Sequence, residues 1–351
     1  MRVIVASTYV PFVDGGGVQI VDWTVEAMRN RGIEAEAMFL PFSDDREVVL
    51  AEIAALRSLD LADSCDVLVP IRWPSHVIQH PRKRPWFIHH LRLFMDLWNW
   101  PGNPVPHTPA TIALREFLVG IDTAALREAD RRFTNSEVVR RRVQAFNGLD
   151  AEVLYPPLRD GHGPADDIRY EPFVFYPSRV NPTKRQLLAM EATLATTCDA
   201  RIVIAGDCDD PRYEARLRAL AESPEGRERI DLRLGWMTAE DKADCLARCS
   251  AVLYLPVDED SYGYPSLEAH QHGKPVISCT DSGGTSELIV DGLNGLLVEP
   301  TPEALSRAID AYAGAPDRAA EAGSAGLARM AELGIDWDHV VARLTEGEER
   351  L

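Results

Sequence analysis

The sequence predicts an α/β protein built on parallel sheets, because short β-branched and apolar runs alternate with helix-like stretches along the chain. Its 351 residues exceed one average domain and favour two. Residues 156–168, rich in Pro, Gly and Asp, lack periodicity and are the best candidate linker. We therefore expect two Rossmann-like domains, residues 1–160 and 161–335, whose parallel sheets face each other across a cleft.

In the first half, the alternation begins with a buried strand over residues 2–8 and an amphipathic helix over residues 18–31. The later predicted strands cover residues 34–40, 66–71, 85–89, 131–135 and 151–155, with helices at 109–128 and 136–147.

In the second half, the pattern restarts after the candidate linker and continues nearly to the end of the chain. The predicted strands are 172–177, 201–206, 230–234, 251–255, 275–279 and 295–298, and the helices are 183–197, 211–222, 238–249, 265–272 and 302–314. Residues 336–351 contain a terminal helix that we expect to pack, with the first domain as the candidate surface.

Composition narrows the classes of partner. The formal net charge of -18 repels polyanions, so a nucleic acid partner is excluded. Two basic clusters, near residues 82–92 and 131–142, are interpreted as solvated helix faces rather than a peripheral membrane contact. Without an apolar run of about 18 residues or a basic leader, we expect a cytoplasmic protein, with its oligomeric state left open. The six scattered cysteines are expected to be reduced thiols.

An acid pair stands out at residues 260–268. Asp260 precedes Glu268 by eight positions, Pro265 suits the first turn of a helix, and Gly273 suits the position after its end. The start of such a helix favours a bound anion, and nearby carboxylates accept hydrogen bonds from sugar hydroxyls. This chemistry points to a phosphorylated or nucleotide-linked sugar. The alternative is a solvated loop before an ordinary helix.

A glycine loop follows the first predicted strand, at residues 15–17. Successive glycines let the backbone approach a ligand and offer amides to an anion. The spacing is not G-x-G-x-x-G, which disfavours a nicotinamide enzyme. A flexible turn is the alternative interpretation.

A pair of cations follows the first strand of the second half. Arg179 leaves the strand, and Lys184 enters the first turn of the next helix. A cation at a helix N-terminus is unfavourable by itself, and a diphosphate bridging both cations would remove that penalty. The alternative is a surface cation pair.

With these motifs in this order, the chain resembles the retaining glycosyltransferases of family 4, which have the GT-B fold. The similar motifs lie at Gly16–Gly17, Arg179 and Lys184, Gly206–Asp207, Leu234–Trp236, Asp260 and Glu268, and residues 273–276, 283–287 and 291–298. The resemblance is dense over residues 172–300 and looser before them.

The resemblance implies roles for individual residues. Arg179 and Lys184 would hold the donor diphosphate, and Glu268 would bind the ribose. Asp260 would bind the transferred sugar, although the family usually has Glu there, so Glu259 is the alternative. The remaining donor contacts would come from the amides of Gly263 and Tyr264, from Gly16 and Gly17, and from Gly235, Trp236 and Met237 at the nucleobase.

His89 matches the histidine of the first domain that reaches the donor sugar in the family. His90 is the alternative, since a slip of one residue exchanges the two faces of a strand. For the acceptor we name Trp98 and Ser136, with core packing and a helix N-cap as the competing explanations.

The implied reaction is transfer of a hexose, with retention, from a UDP- or GDP-sugar to a hydroxyl of a saccharide or glycoconjugate precursor. The departing nucleoside diphosphate would be stabilised by cations, so no metal and no cofactor are expected. Asp207-Cys208-Asp209 is interpreted as a structural turn. The alternatives are a sugar-nucleotide epimerase or hydrolase on the same fold, and a catalytically silent sugar-nucleotide-binding relative.

Overall fold

The computed structural model describes residues 1–10, 16–43, 45–159 and 167–346. It divides into two compact units, one formed by Met1–Asp160 with Ile335–Leu351 and the other by Gly161–Gly334. The expected second domain ended at residue 335, whereas Ile335 is grouped with the first unit. Most of the candidate linker and residues 11–15, which include Gly15 of the glycine loop, lie outside the described residues.

The first unit is built from parallel strand ladders with helices between them. Its elements are β1 (Arg2–Tyr9), α1 (Gly16–Asn30), β2 (Glu34–Pro41), α2 (Val49–Arg57), β3 (Val67–Pro70), β4 (Trp86–Phe87), α3 (Pro109–Arg127), β5 (Phe133–Thr134), α4 (Glu137–Asn147), β6 (Glu152–Val153) and the terminal helix Trp337–Thr345. β1 lies between β2 and β3, and β5 lies between β4 and β6, with every pairing parallel. A bridge between Leu68 and Lys83 links the two ladders.

Four strands of this unit, β3 to β6, are shorter than predicted. Over residues 85–89 only Trp86–Phe87 is regular strand, and over residues 131–135 only Phe133–Thr134. The amide of Asn135 still donates to the carbonyl of Phe87 at 3.3 Å, and beyond this contact the backbone leaves the ladder. His89 therefore lies in a loop after β4 rather than on the strand.

The terminal helix packs on the first unit. The side chains of Trp337, Val340 and Leu344 are buried in the same cluster as Trp86 and Phe133. The indole of Trp337 donates to the carbonyl of Leu158 at 2.7 Å. Burial of this apolar face stabilises the helix on the sheet of the first unit.

Polar contacts fix the same helix at its C-terminal half. The buried guanidinium of Arg84 donates to the carbonyl of Leu344 at 3.0 Å, and Arg343 forms an ion pair with Glu152 at 2.6 Å. The cation of Arg84 thereby satisfies a carbonyl at a helix C-terminus, where positive charge is favourable.

The second unit is a single parallel sheet with helices on its faces. Its elements are β7 (Glu171–Pro177), α5 (Gln186–Leu194), β8 (Arg201–Gly206), α6 (Pro211–Ala221), α7 (Gly226–Arg229), β9 (Ile230–Leu234), α8 (Ala239–Arg248), β10 (Cys249–Leu253), α9 (Tyr264–Gln271), β11 (Val276–Cys279), α10 (Thr285–Leu288), β12 (Gly295–Val298), α11 (Pro302–Ala313) and α12 (Pro316–Glu332). The strand order is β12–β11–β10–β7–β8–β9. The helix Trp337–Thr345 of the first unit follows as α13.

The order of this sheet reverses between β7 and β10, because the chain proceeds from β7 to β8 and β9 on one side and later adds β10 to β12 on the other. Ligands of open α/β sheets bind at such a switch point, beyond the carboxyl ends of the strands. The loops after β7 and β10 are thus the first place to look for a site.

No helix within the described ranges is both long enough and apolar enough to cross a bilayer.

Candidate functional site

The loops after β7 and β10 are joined directly. The amide of Val257, after β10, donates to the carbonyl of Thr183, after β7, at 2.9 Å. Asn181 begins the short 3-10 turn Pro182–Lys184 and accepts from the amide of Thr183 at 3.0 Å. This cap fixes the turn that presents Lys184 beside the second loop.

Lys184 lies at the centre of a polar cluster. Its Nζ donates to the hydroxyl of Tyr254 at 2.9 Å and forms an ion pair with the carboxylate of Glu259. The hydroxyl of Tyr176 donates to the backbone carbonyl of Lys184 and accepts from the amide of Leu255 at 2.9 Å. Only 13% of the Lys184 side chain is exposed, so its charge is held in one place by neighbours on both loops.

Tyr254 connects the members of this cluster. Its hydroxyl donates to Oε2 of Glu259 at 3.1 Å while accepting from Lys184. Burial, and then the carboxylate of Glu259, raise the pKa of Tyr254 well above its usual value. The phenol therefore stays protonated at every physiological pH and remains a donor.

Arg185 binds three loops of the second unit together. Its guanidinium donates to the carbonyls of Leu255 at 2.7 Å and Pro256 at 2.6 Å, and to both carboxylate oxygens of Asp281 at 2.8 Å. The backbone of Arg185 is left-handed, with φ of 58°. Sequence reasoning missed this residue, because nothing in the local pattern distinguishes it from Lys184.

The glycine turn at residues 283–284 is occupied by protein backbone. A Cβ at Gly283 would lie 2.5 Å from the carbonyl oxygen of Glu259, and one at Gly284 would lie 2.6 Å from Cα of Ser261. The amide of Gly284 also donates to the carbonyl of Glu259 at 2.9 Å. These glycines thus support the acidic loop.

Helix α9 begins beside the cluster. Gly263 is its N-cap, with φ of 72°, and Pro265 lies in its first turn, as the sequence predicts. Acidic residues are absent from this first turn, and the amide of Gly263 donates to the hydroxyl of Ser261 at 3.5 Å. The helix start adds positive potential next to Lys184.

Glu268 lies one turn into α9. Lys242 donates to its Oε1 at 2.6 Å, and its Oε2 is buried with no hydrogen-bond partner in the described part of the chain. Burial, and then Glu268, raise the pKa of Tyr264. A buried acceptor without a donor is costly, and a hydroxyl donor from a ligand would relieve that cost. The Lys242 contact was not foreseen.

The remaining residues expected at the donor lie at strand ends of the same sheet. Arg179 is exposed after β7. Gly235 follows β9, and its amide donates to the carbonyl of Gly206 at 3.2 Å. The indole of Trp236 is 78% exposed, and Met237 packs partly against the core of the second unit. An exposed indole beside a glycine is a surface on which a flat base can stack.

Asp260 is half-buried in the loop between Glu259 and α9. Its side chain belongs to the same loop that Gly283 and Gly284 support, so the three acidic positions 258–260 are presented together. Within this loop, the carboxylate of Glu259 pairs with Lys184.

In the first unit, the two candidate histidines have different surroundings. His90 is 1% exposed, its Nε2 lies 2.9 Å from Oδ1 of Asn147, and its ring packs edge-on against Phe87 and Phe146. His89 is half-buried, and its Nδ1 lies 2.7 Å from the carbonyl of His90. His90 thus faces the core of the unit, which leaves His89 as the candidate for a ligand.

The pKa of His89 is lowered to about 4, by burial first and then by the charges of Arg72 and Arg92. Its imidazole is therefore neutral at physiological pH and can accept or donate one hydrogen bond. Gly16 and Gly17 open helix α1, and a Cβ at Gly17 would lie 3.8 Å from Cδ of Arg72.

The two acceptor candidates have local structural roles. Trp98 stacks on His107, with ring centroids 4.1 Å apart, and on Phe94 at 6.0 Å. Ser136 is the N-cap of α4 and accepts from the amide of Val139 at 3.0 Å. These contacts are local, and a role of either residue toward an acceptor stays a prediction.

Asp207 directly follows β8. Its carbonyl accepts a hydrogen bond from the amide of Val180, in the loop after β7, at 2.8 Å. Across the described ranges, no group of three or more His, Cys, Asp or Glu side chains is placed to hold a metal ion. The six cysteines are free thiols.

Residues 167–328, which make up most of the second unit, match the family described as Glycosyl transferases group 1. The chain is similar to alpha-1,3/1,6-mannosyltransferase ALG2 of Homo sapiens, with 28% identity over 242 residues, which are 62% of this chain and 56% of that protein. It is also similar to D-inositol 3-phosphate glycosyltransferase of Streptomyces griseus, with 31% identity over 33% of this chain and 26% of that protein. The chain thus spans about half or less of the length of these relatives.

Solved structures resemble the chain over almost its full length. HepE of Anabaena, in complex with UDP, aligns with a TM-score of 0.70 and 14% identity, covering 98% of both chains. Sucrose-phosphate synthase of Thermosynechococcus elongatus aligns with a TM-score of 0.73 and 16% identity, covering 97% of both chains. Together with the two parallel α/β units, these likenesses show that the chain has the GT-B fold.

Proposed function

We propose that this protein is a retaining glycosyltransferase that transfers a hexose from a UDP- or GDP-sugar to a hydroxyl of a saccharide or glycoconjugate precursor. The observation that carries the proposal is the placement of Lys184 beside the start of α9, at the switch point of the second sheet, with the unpartnered Oε2 of Glu268 one turn further on. Cation, amides and carboxylate are the groups that a nucleoside diphosphate needs.

In the proposed complex, Lys184 and Arg179 bind the diphosphate with the amides of Gly263 and Tyr264. Glu268 accepts from the ribose hydroxyls, and the exposed Trp236 stacks on the base. The names of the similar proteins support this assignment, since they include a mannosyltransferase and an inositol phosphate glycosyltransferase. The bound UDP and UDP-glucose of the HepE structures support a nucleotide-sugar donor.

The chemistry follows from charge. As the sugar departs, negative charge grows on the leaving diphosphate, and preorganised cations stabilise it more than they stabilise the bound donor. Lys184 and Arg179 can supply that stabilisation without a metal. The acidic loop at Asp260 accepts hydrogen bonds from hydroxyls of the transferred sugar.

The proposal is tested with the full chain and a panel of nucleoside diphosphates. We expect UDP or GDP to raise the melting temperature, and the matching nucleotide sugar to be consumed when a hydroxyl acceptor is supplied. Activity should persist in EDTA, and proton NMR of the first-formed product should show the anomeric configuration of the donor. Failure of every nucleoside diphosphate to bind would refute the donor site, whereas an inverted product would refute retention alone.

A further inference from the structure

The cation that the proposed donor site requires is already paired with an acid of the chain. Nζ of Lys184 contacts the carboxylate of Glu259, and the hydroxyl of Tyr254 bonds to both groups. The side chains are 13% and 21% exposed, so water screens this pair less than a surface ion pair. A carboxylate therefore occupies the position beside α9 where a phosphate oxygen would be expected.

The backbone that carries Glu259 is fixed on both sides. Its amide donates to the carbonyl of Ser282 at 3.3 Å, and its carbonyl accepts from Gly284 at 2.9 Å. A Cβ at Gly283 would lie 2.5 Å from that same carbonyl oxygen. Because the turn and the loop are packed backbone to backbone, the side chain of Glu259 can change rotamer while its main chain stays in place.

Binding of a diphosphate to Lys184 requires this change in the rotamer of Glu259. Lys184 and Glu259 together carry no net charge, so an approaching diphosphate meets a neutral pair and a carboxylate that repels it. Attraction between the diphosphate and Lys184 becomes available only when the Glu259 carboxylate leaves the ammonium group. The free energy of the internal ion pair is then subtracted from the free energy of nucleotide binding.

We propose that Glu259 is a competing carboxylate, which holds Lys184 in the nucleotide-free protein and is displaced when the diphosphate binds. This inference rests on the proposed function, and it adds a residue that controls donor affinity and product release. After transfer, return of Glu259 to Lys184 favours departure of the nucleoside diphosphate.

The test is isothermal titration of UDP and GDP into the wild type, Glu259→Gln and a control. Glu225→Gln removes the same charge from an exposed position at the start of α7, so it reports the effect of net charge alone. We expect Glu259→Gln to lower the Kd of the better nucleotide about tenfold, which is about 1.4 kcal/mol. The control should keep the wild-type Kd.

A second measurement separates competition from a structural role. Without nucleotide, Glu259→Gln should melt below the wild type because the ion pair is lost, and saturating nucleotide should narrow or reverse that difference. If Glu259→Gln does not fold, Glu259→Asp keeps the charge but reaches Lys184 less well, and it should change the Kd in the same direction by a smaller factor.

The outcomes distinguish this inference from the function on which it rests. Tighter nucleotide binding by the variant supports it. A wild type that binds nucleotide while Glu259→Gln binds equally or more weakly overturns the competition and leaves the donor site standing. Absence of binding in both proteins overturns the donor site and the competition together.

Discussion

Gly263 and Tyr254 are packed so closely that a Cβ at Gly263 would lie 2.6 Å from Cζ of the tyrosine ring. Gly263 is the N-cap of α9, and Tyr254 is the residue that bonds to Lys184 and Glu259. The contact therefore sets the distance between the start of the helix and the Lys184 cluster. The start of α9 and the Lys184 ammonium group are thus held side by side by one glycine and one phenol.

Gly263→Ala is expected to destabilise the protein and weaken nucleotide binding. Gly292 provides a matched control, because its φ of 76° resembles the 72° of Gly263 but no atom lies within 4 Å of its Cβ position. Backbone strain alone should lower the free energy of unfolding of Gly292→Ala by about 1 kcal/mol. In Gly263→Ala the new methyl group also overlaps the Tyr254 ring, so the loss should be about 3 kcal/mol. Urea unfolding measures both, and equal losses would contradict the importance of the contact.

Lys184→Ala is expected to lower turnover on the order of 10²–10³-fold, as for loss of one donor to the transition state. The substitution removes the ammonium group that bonds to Tyr254 and pairs with Glu259. The exposed Arg212 is a suitable control, since Arg212→Ala removes a cation of the same unit elsewhere. Initial rates with the preferred nucleotide sugar test this prediction. Near-wild-type turnover of Lys184→Ala would count against the phosphate site.

Glu268→Ala is expected to weaken binding of a nucleoside diphosphate but not binding of pyrophosphate. If Glu268 accepts from the ribose, the variant loses a charged hydrogen bond of about 2 kcal/mol toward UDP or GDP. Inorganic pyrophosphate, which has no ribose, should bind the variant as it binds the wild type. Calorimetry with both ligands tests this, with the exposed Glu191→Ala as the control. An equal loss for both ligands would assign Glu268 to the phosphates or to the fold.

Stability should fall as the pH drops from 6.5 toward 4. His270 is fully buried, its Nδ1 lies 3.1 Å from the carbonyl of Lys274, and burial lowers its pKa to about 4. Between pH 4 and 6.5 the unfolded chain binds the proton that the folded His270 does not, so the free energy of unfolding decreases by about 3 kcal/mol in total.

The variant His270→Asn cannot titrate but keeps an amide donor near the carbonyl of Lys274, so it should show a shallower dependence over this pH range. His339→Asn, at an exposed position, should behave as the wild type. Urea unfolding at pH 7, 6 and 5 gives the slopes. If the slope of His270→Asn equals that of the wild type, another group is responsible for the acid sensitivity.

The fold class could be predicted because it depends on local alternation and on the order of motifs. The expected α/β architecture, with parallel sheets and the GT-B fold, is confirmed. Strand lengths in the first unit were less predictable. An apolar run such as residues 85–89 satisfies a strand pattern, whereas its pairing with Phe133–Thr134 decides where the ladder ends.

In the candidate site, too, local features could be predicted from the sequence, whereas long-range contacts could not. The first turn at Pro265 and the helix around Glu268 follow from nearby residues and could be placed from the sequence. The ion-pair partners of the charged residues could not be predicted. Lys184 pairs with Glu259, which lies 75 residues further along the chain, and Lys242 pairs with Glu268, which lies 26 residues further. Such pairs depend on strand order. The roles assigned to these residues at a donor remain predictions.

The placement of Trp337 and Leu344 in the core of the first unit has a consequence for biosynthesis. A ribosome completes the strands of that unit early, but the helix that closes its hydrophobic cluster emerges only after the whole second unit has been translated. The first unit therefore keeps part of its apolar surface uncovered until the second unit has been synthesised. Its interval of exposure to chaperones and to aggregation is set by the synthesis time of the intervening residues.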